Sequence, residues 1–300
     1  MGLLILMGWA MGLILVVGTL LLIHRLRFPA RLSYGAALAA RLPTEAADLG
    51  VAGTELTVTL ADGASSPAIL LEGGRDAGPL VVLVHGWGDS RFGAMARAPA
   101  ILPLAWRVLA FDQRGHGDSA SRGTTLGVRE PADLLAVVRQ VDTGGRGVVL
   151  LGWSMGAGVA IAAGARWGAE PGGREALPAL RAVIAEGPYR QAMGPVGAAL
   201  RRRGLPVQPF LWLAGGHMDF WHGPHAGYDR AALASRLTCP IWVLHGSLDT
   251  LCTAEDAKAI AQAAPRGSFV EFANAGHFDL PWSDPGLWES VLRQATADGA

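Results

Sequence analysis

The chain has 300 residues, and its 25 basic and 25 acidic side chains cancel to zero formal charge. That length is enough for one large domain with a well-buried core, and neutrality leaves no basic footprint that would argue for a nucleic acid partner. The two cysteines, Cys239 and Cys252, have neither metal-ligand spacing nor the number a disulfide framework requires, so they are expected as ordinary thiols, with no metal or organic cofactor implied.

Gly2 to Ile23 carries no charged residue and is almost wholly apolar. At about 1.5 Å per residue it covers the roughly 30 Å hydrocarbon core of a bilayer. His24, Arg25, Arg27 and Arg31 follow at once. A cleaved signal peptide begins with positive charge and closes on a small-residue cleavage site; here the charges come after the apolar run and no Ala-x-Ala site closes it. Segment 1–28 therefore reads as an uncleaved, single-pass anchor with a basic flank, contributing no catalytic group. The positive-inside rule sets the main domain in the cytoplasm. Gly8 and Gly12 form a small-xxx-small pair suited to packing two anchors, and glycines scattered through an apolar helix read equally well.

Residues 29–53 read as a connector with some helical character, and 54–300 as the main domain. Glu55 to Leu60 alternates polar and apolar, as a half-exposed strand does. Ala68 to Glu72 is its expected partner across a turn holding Asp62-Gly63. Short, continuously apolar runs follow at Leu80–Val84, Arg107–Phe111, Val148–Leu151, Ala182–Ala185, Ile241–Leu244 and Phe269–Phe272. Such runs suit strands buried on both faces of a parallel sheet. Helical stretches lie between them, near Arg91–Ile101, Glu130–Val141, Ser154–Trp167, Asp229–Leu237, Ala254–Ala264 and Pro285–Thr296. An antiparallel start followed by βα repeats predicts an open, mostly parallel α/β sheet. The interval 188–227 is too long for a simple crossover and reads as a small helical cap over the C-terminal edge of that sheet. Its Phe210-Leu211-Trp212-Leu213 and Phe220-Trp221 suit either an acyl guide or the cap's own core. Arg201 to Arg203 suits a solvated basic face, or contact with anionic lipid.

The chemistry concentrates at Gly152-Trp153-Ser154-Met155-Gly156, which follows an apolar strand and opens a helix. A sharp strand-to-helix turn lifts a serine hydroxyl clear of its neighbours, and flanking glycines permit that turn. A serine nucleophile requires a base, and the base requires an acid to orient it. Among eight histidines, His277 lies in the loop after the last predicted strand, and Asp249 lies just past the strand that ends at His245. Ser154, Asp249 and His277 thus leave three strand ends on one edge of the sheet, where ligand sites of open α/β sheets form. Of the other histidines, His85 is expected to fix a loop, His116 belongs to a loop-locking block, His217, His222 and His225 belong to the cap, and His24 flanks the anchor. Asp279 is expected to be a loop residue.

With these residues in that order, the chain resembles the α/β-hydrolases. The likeness covers about Glu55 to Thr296 and rests on several blocks together: His85-Gly86-Trp87-Gly88, Phe111 to Ser119, the Ser154 elbow, and the Asp249 and His277 loops. The Asp112–Ser119 block is similar to hydrolases of the monoglyceride-lipase and serine-aminopeptidase-like group. The resemblance implies the α/β-hydrolase fold, with an eight-stranded, mostly parallel sheet flanked by helices and a cap. It also implies serine-hydrolase chemistry, but transmits no substrate. The oxyanion hole would use the backbone N–H groups of Met155 and Trp87. Some relatives place the acid after the preceding strand, which keeps Glu186 as an alternative to Asp249. The expected activity is cleavage of a small-molecule carboxylic ester through an acyl-enzyme. An amidase or peptidase with the same three residues, or a catalytically silent membrane-bound scaffold, are the alternatives. The oligomeric state is not legible.

Overall fold

A computed structural model describes residues 1–167, 177–222 and 228–297. Eight strands, β1 (Gly53–Thr59), β2 (Ser65–Glu72), β3 (Leu80–Val84), β4 (Arg107–Phe111), β5 (Val148–Trp153), β6 (Leu180–Glu186), β7 (Ile241–Gly246) and β8 (Gly267–Phe272), form one sheet. Their spatial order is β1-β2-β4-β3-β5-β6-β7-β8. The β1–β2 and β2–β4 pairs are antiparallel, and every other pair is parallel. Among the described residues the helices are α1 (Gly2–Arg27), α2 (Tyr34–Ala39), α3 (Arg91–Met95), α4 (Glu130–Gln140), α5 (Met155–Gly164), α6 (Met193–Arg202), α7 (Phe210–His222), α8 (Arg230–Ala234), α9 (Ala254–Ala263), α10 (Leu280–Ser283) and α11 (Pro285–Thr296).

The continuous apolar runs have a plain cause. Successive strand side chains point to opposite faces, and both faces are covered. Leu80, Val82, Leu109, Phe111, Val148 and Leu150 join a core with α4, α5, α8 and α9. Their neighbours Val81, Leu83, Val108, Ala110, Val149 and Leu151 join a second core with α2, α3, α10 and α11. The stretch expected as one helix from Arg91 to Ile101 stops at Met95 and continues as two 3₁₀ turns, Ala98–Ala100 and Leu102–Leu104, each with a proline in its first positions. Proline lacks the N–H that would carry an α-helix onward.

Between β6 and α8 the chain forms α6, which lines the space above the C-terminal edge of the parallel strands, and α7, whose Met218 packs with Met155 and Tyr189. Residues 223–227, including His225, lie outside the described residues, as does the side chain of His222.

The apolar N-terminal segment is one long helix, and its final turns do not stand apart from the domain. Thr19, Ile23 and Leu26 are buried, while residues toward Met1 are exposed. The last carbonyls of any helix lack an intrahelical partner. Here the Trp87 indole Nε1–H donates to Leu26 O at 2.9 Å, and the Thr124 N–H donates to Arg27 O at 3.0 Å. The Arg31 guanidinium donates to Ser119 O at 2.7 Å and to Ser121 O at 2.8 Å. Gly18 allows the ring of cap residue Phe210 to approach, since a Cβ at that position would sit 2.5 Å from the ring.

Candidate active site

Loops leaving β3, β5, β7 and β8 converge at the C-terminal edge of the sheet. Ser154 follows β5 with φ 54° and ψ −119°, a left-handed conformation costly for a residue with a Cβ. Its N–H donates to Glu186 O at 2.8 Å. The glycines two positions to either side make the turn possible. A Cβ on Gly152 would lie 2.3 Å from Gly156 O, and one on Gly156 would lie 1.9 Å from Val84 O. The turn brings the Ser154 Oγ–H to His277 Nε2 at 2.9 Å. His277 Nδ1–H in turn donates to Asp249 Oδ2 at 2.7 Å. The other Asp249 oxygen accepts the N–H groups of Leu251 at 2.8 Å and Cys252 at 3.0 Å. Burial opposes ionisation of Asp249. The hydrogen bonds from His277 and from the two backbone amides outweigh it and hold the carboxyl below the usual carboxylate range. The chain of groups is thus ready to move a proton from Ser154 to His277 beside a fixed negative charge.

The alternative acid is engaged elsewhere. Glu186 accepts from Trp288 Nε1–H at 2.7 Å and pairs with Arg97 Nη2 at 3.3 Å, all buried beneath the site. Arg97 also lies 4.2 Å from the ring centroid of Trp153, the residue before the elbow serine. This buried group props the elbow from below. Nothing in the local sequence around Glu186 pointed to it, because Arg97 and Trp288 are remote in the chain.

The remaining polar residues lock loops. His85 Nδ1 meets Gly86 O at 2.8 Å while its Nε2 accepts the Gln113 N–H at 3.0 Å, so the ring holds the loop that carries Trp87. Burial lowers the pKa of His85 and lowers that of His116 to about 4, which keeps both rings neutral. Asp112 accepts the N–H groups of Arg91 at 2.7 Å and Asp118 at 2.8 Å, and it pairs with the Arg91 guanidinium. Arg114 pairs with Asp133, and Asp279 accepts the Gly276 N–H at 2.7 Å. His245 lies 4.0 Å from Asp249 with no hydrogen bond between them, and burial lowers its pKa. Asp249, Cys252 and His277 each offer a ligand atom within 4.8 Å of the others. Both Asp249 oxygens are already engaged, and burial pushes the Cys252 thiol well up, away from the thiolate that a metal takes.

Ser154 and His277 open into a cavity of about 510 Å³ that Met155 and Trp87 also line. The cap aromatics weighed as an acyl guide do not line it: Phe210 lies against α1, and Trp212, Phe220 and Trp221 are exposed. Leu22, Arg25 and Leu26 of α1 do line it. Sequence reasoning missed these, because an apolar run long enough to span a bilayer accounts for its own hydrophobicity and gives no sign of a second use.

A family model for the alpha/beta hydrolase family matches residues 81–288. The chain belongs to this alpha/beta hydrolase family. A pimeloyl-[acyl-carrier protein] methyl ester esterase of Neisseria meningitidis is 41% identical over 91 residues, which is 30% of this chain and 33% of that protein. The match therefore spans about a third of the curated relative's length. Among solved alpha/beta hydrolases, an esterase of Pyrococcus furiosus superposes with a TM-score of 0.68 at 20% identity, covering 90% of this chain and 96% of that one. A thermophilic esterase of Thermogutta terrifontis gives a TM-score of 0.56 at 22% identity, covering 81% and 100%. Structural likeness at such identity speaks for the fold.

Proposed function

We propose that this alpha/beta hydrolase is a membrane-anchored serine esterase. The observation that carries the reading is the unbroken path from Ser154 Oγ–H through His277 to Asp249, at 2.9 and 2.7 Å. Ser154 attacks the ester carbonyl carbon while His277 Nε2 takes its proton. Asp249 keeps Nδ1 protonated and stabilises the imidazolium. The N–H groups of Met155 and Trp87 receive the oxyanion. His277 then returns the proton to the leaving alkoxide, and the acyl group stays on Ser154. Water, deprotonated by His277, attacks the acyl-enzyme and restores the serine. The esterase relatives favour an ester over an amide, and the Asp112–Ser119 block supports a place near the monoglyceride-lipase-like group. A carboxylic acid methyl ester and its matched primary amide, offered to full-length protein in neutral detergent, test the choice. The ester should be cleaved and the amide left intact. Comparable amide cleavage would make the protein an amidase, and inertness toward both would leave the silent scaffold.

Membrane attachment rests on α1, whose 26 residues are long and apolar enough to cross a bilayer, and on the basic residues at its domain end. Full-length protein is expected to resist carbonate extraction. In spheroplasts of a bacterial host, external protease should leave the hydrolase domain intact. A soluble chain beginning after Ile23 would mark the segment as a signal peptide, and digestion from outside would invert the orientation.

A further inference from the structure

Part of the wall of the cavity above Ser154 comes from the helix that would otherwise serve only as an anchor. Leu22 and Leu26 of α1 line the same space as Ser154, His277 and, from α6, Val196 and Leu200. The cavity's volume of about 510 Å³ lies within the range of small-ligand sites. Next to Leu22 on α1, Leu20 and Leu21 are exposed. Arginines stand elsewhere on the lining: Arg25 from α1, and Arg202 and Arg203 from the end of α6. All three are exposed, and none makes an ion pair with a carboxylate of the described residues. Guanidinium groups left unpaired around an apolar space are complementary to a ligand with an apolar body and an anionic head.

We propose that the last turns of α1 are part of the substrate-binding site, and that this site takes an anionic single-chain lipid ester. Its acyl chain lies along Leu22 and Leu26, and its phosphate lies among Arg25, Arg202 and Arg203. The ester carbonyl is then presented to Ser154. The assignment rests on the esterase reading of that serine, but binding tests it without hydrolysis. Truncation after residue 28, the natural way to make a soluble enzyme, would remove Leu22, Arg25 and Leu26 together and open the cavity.

The test uses full-length Ser154→Ala protein in neutral detergent, with monooleoylglycerol and its phosphate ester as probes. The phosphate ester is expected to bind on the order of tenfold more tightly, as a few exposed charge contacts can supply, and added salt should shrink that preference. Arg25→Gln combined with Arg203→Gln, at two exposed positions, should bring the ratio close to one. Leu22→Ala should lower the affinity for the oleoyl ester relative to the butyryl ester of the same head by about fivefold, through lost apolar contact. Equal affinity for the two oleoyl probes would overturn the proposal. So would a preference that survives both glutamines, or a chain-length ratio unmoved by Leu22→Ala. Tighter binding of an oleoyl-loaded acyl carrier protein than of the phosphate ester would also overturn it, by assigning the arginines to a protein partner. Failure of the esterase reading would show separately, as wild-type protein that binds these probes and does not react with a fluorophosphonate.

Discussion

Replacing Ser154 with alanine is expected to abolish both fluorophosphonate labelling and ester hydrolysis, with a loss in kcat on the order of 10⁶, as found when another serine hydrolase loses its nucleophile. The fold should survive. Alanine at φ 54° carries the same Cβ strain that serine already bears, and the N–H that bonds Glu186 O is kept. Folding of the variant is checked by its thermal transition and labelling by mass spectrometry. A fluorophosphonate adduct on another serine of the alanine variant would remove Ser154 from the centre of the mechanism.

Asp249→Asn is expected to lower kcat by about 10⁴, the loss seen when the orienting carboxylate of another triad becomes an amide. Local geometry supplies the reason. One oxygen of residue 249 is held by the Leu251 and Cys252 N–H groups, so an asparagine would keep its carbonyl there and turn its NH₂ toward His277 Nδ1. That ring nitrogen would have to accept, the proton would move to Nε2, and Nε2 could no longer take the proton of Ser154. Glu186→Gln should behave in the opposite way. It leaves the His277 ring untouched but strips Arg97 of its buried counter-charge, so the loss should appear in stability, up to about 3 kcal/mol, with a far smaller change in kcat. Steady-state kinetics and thermal melting on both variants separate these effects. If Glu186→Gln instead produced the larger fall in kcat at unchanged stability, the acid would have to be sought at the end of β6.

Local pattern carried much of this architecture. The run at Leu80–Val84 coincides with β3 because a strand buried on both faces has no polar position to blur its ends, and the run at Arg107–Phe111 coincides with β4, which opens on the half-buried Arg107. The elbow was legible because part of the reason for its glycines is local: a Cβ on Gly152 would meet Gly156 four residues on, while the contact of Gly156 with the end of β3 is long-range. Glu186 and Asp249 were harder to separate, since each is an acid just beyond an apolar strand. What divides them is contact at long range, Arg97 and Trp288 for Glu186 and His277 for Asp249. The docking of α1 lay further from view. Its anchoring bonds are made by backbone carbonyls of Leu26 and Arg27, which have no sequence signature, to partners far along the chain.

If α1 crosses a bilayer as proposed, the contact between Gly18 and Phe210 bears on how deeply the protein would sit in it. α1 is partly covered by protein from Leu15 onward, so the fully exposed stretch runs from Gly2 to Ile14, about 20 Å against roughly 30 Å of hydrocarbon. A spanning helix with that much free length falls short by about 10 Å, which either thins the bilayer or draws the cap down into it. Trp212 and Trp221 on α7, 72% and 60% exposed, are the residue type that settles at the headgroup level. If α1 spans as proposed, bilayer thickness would bear on the contact that joins α1 to α7 through Gly18 and Phe210.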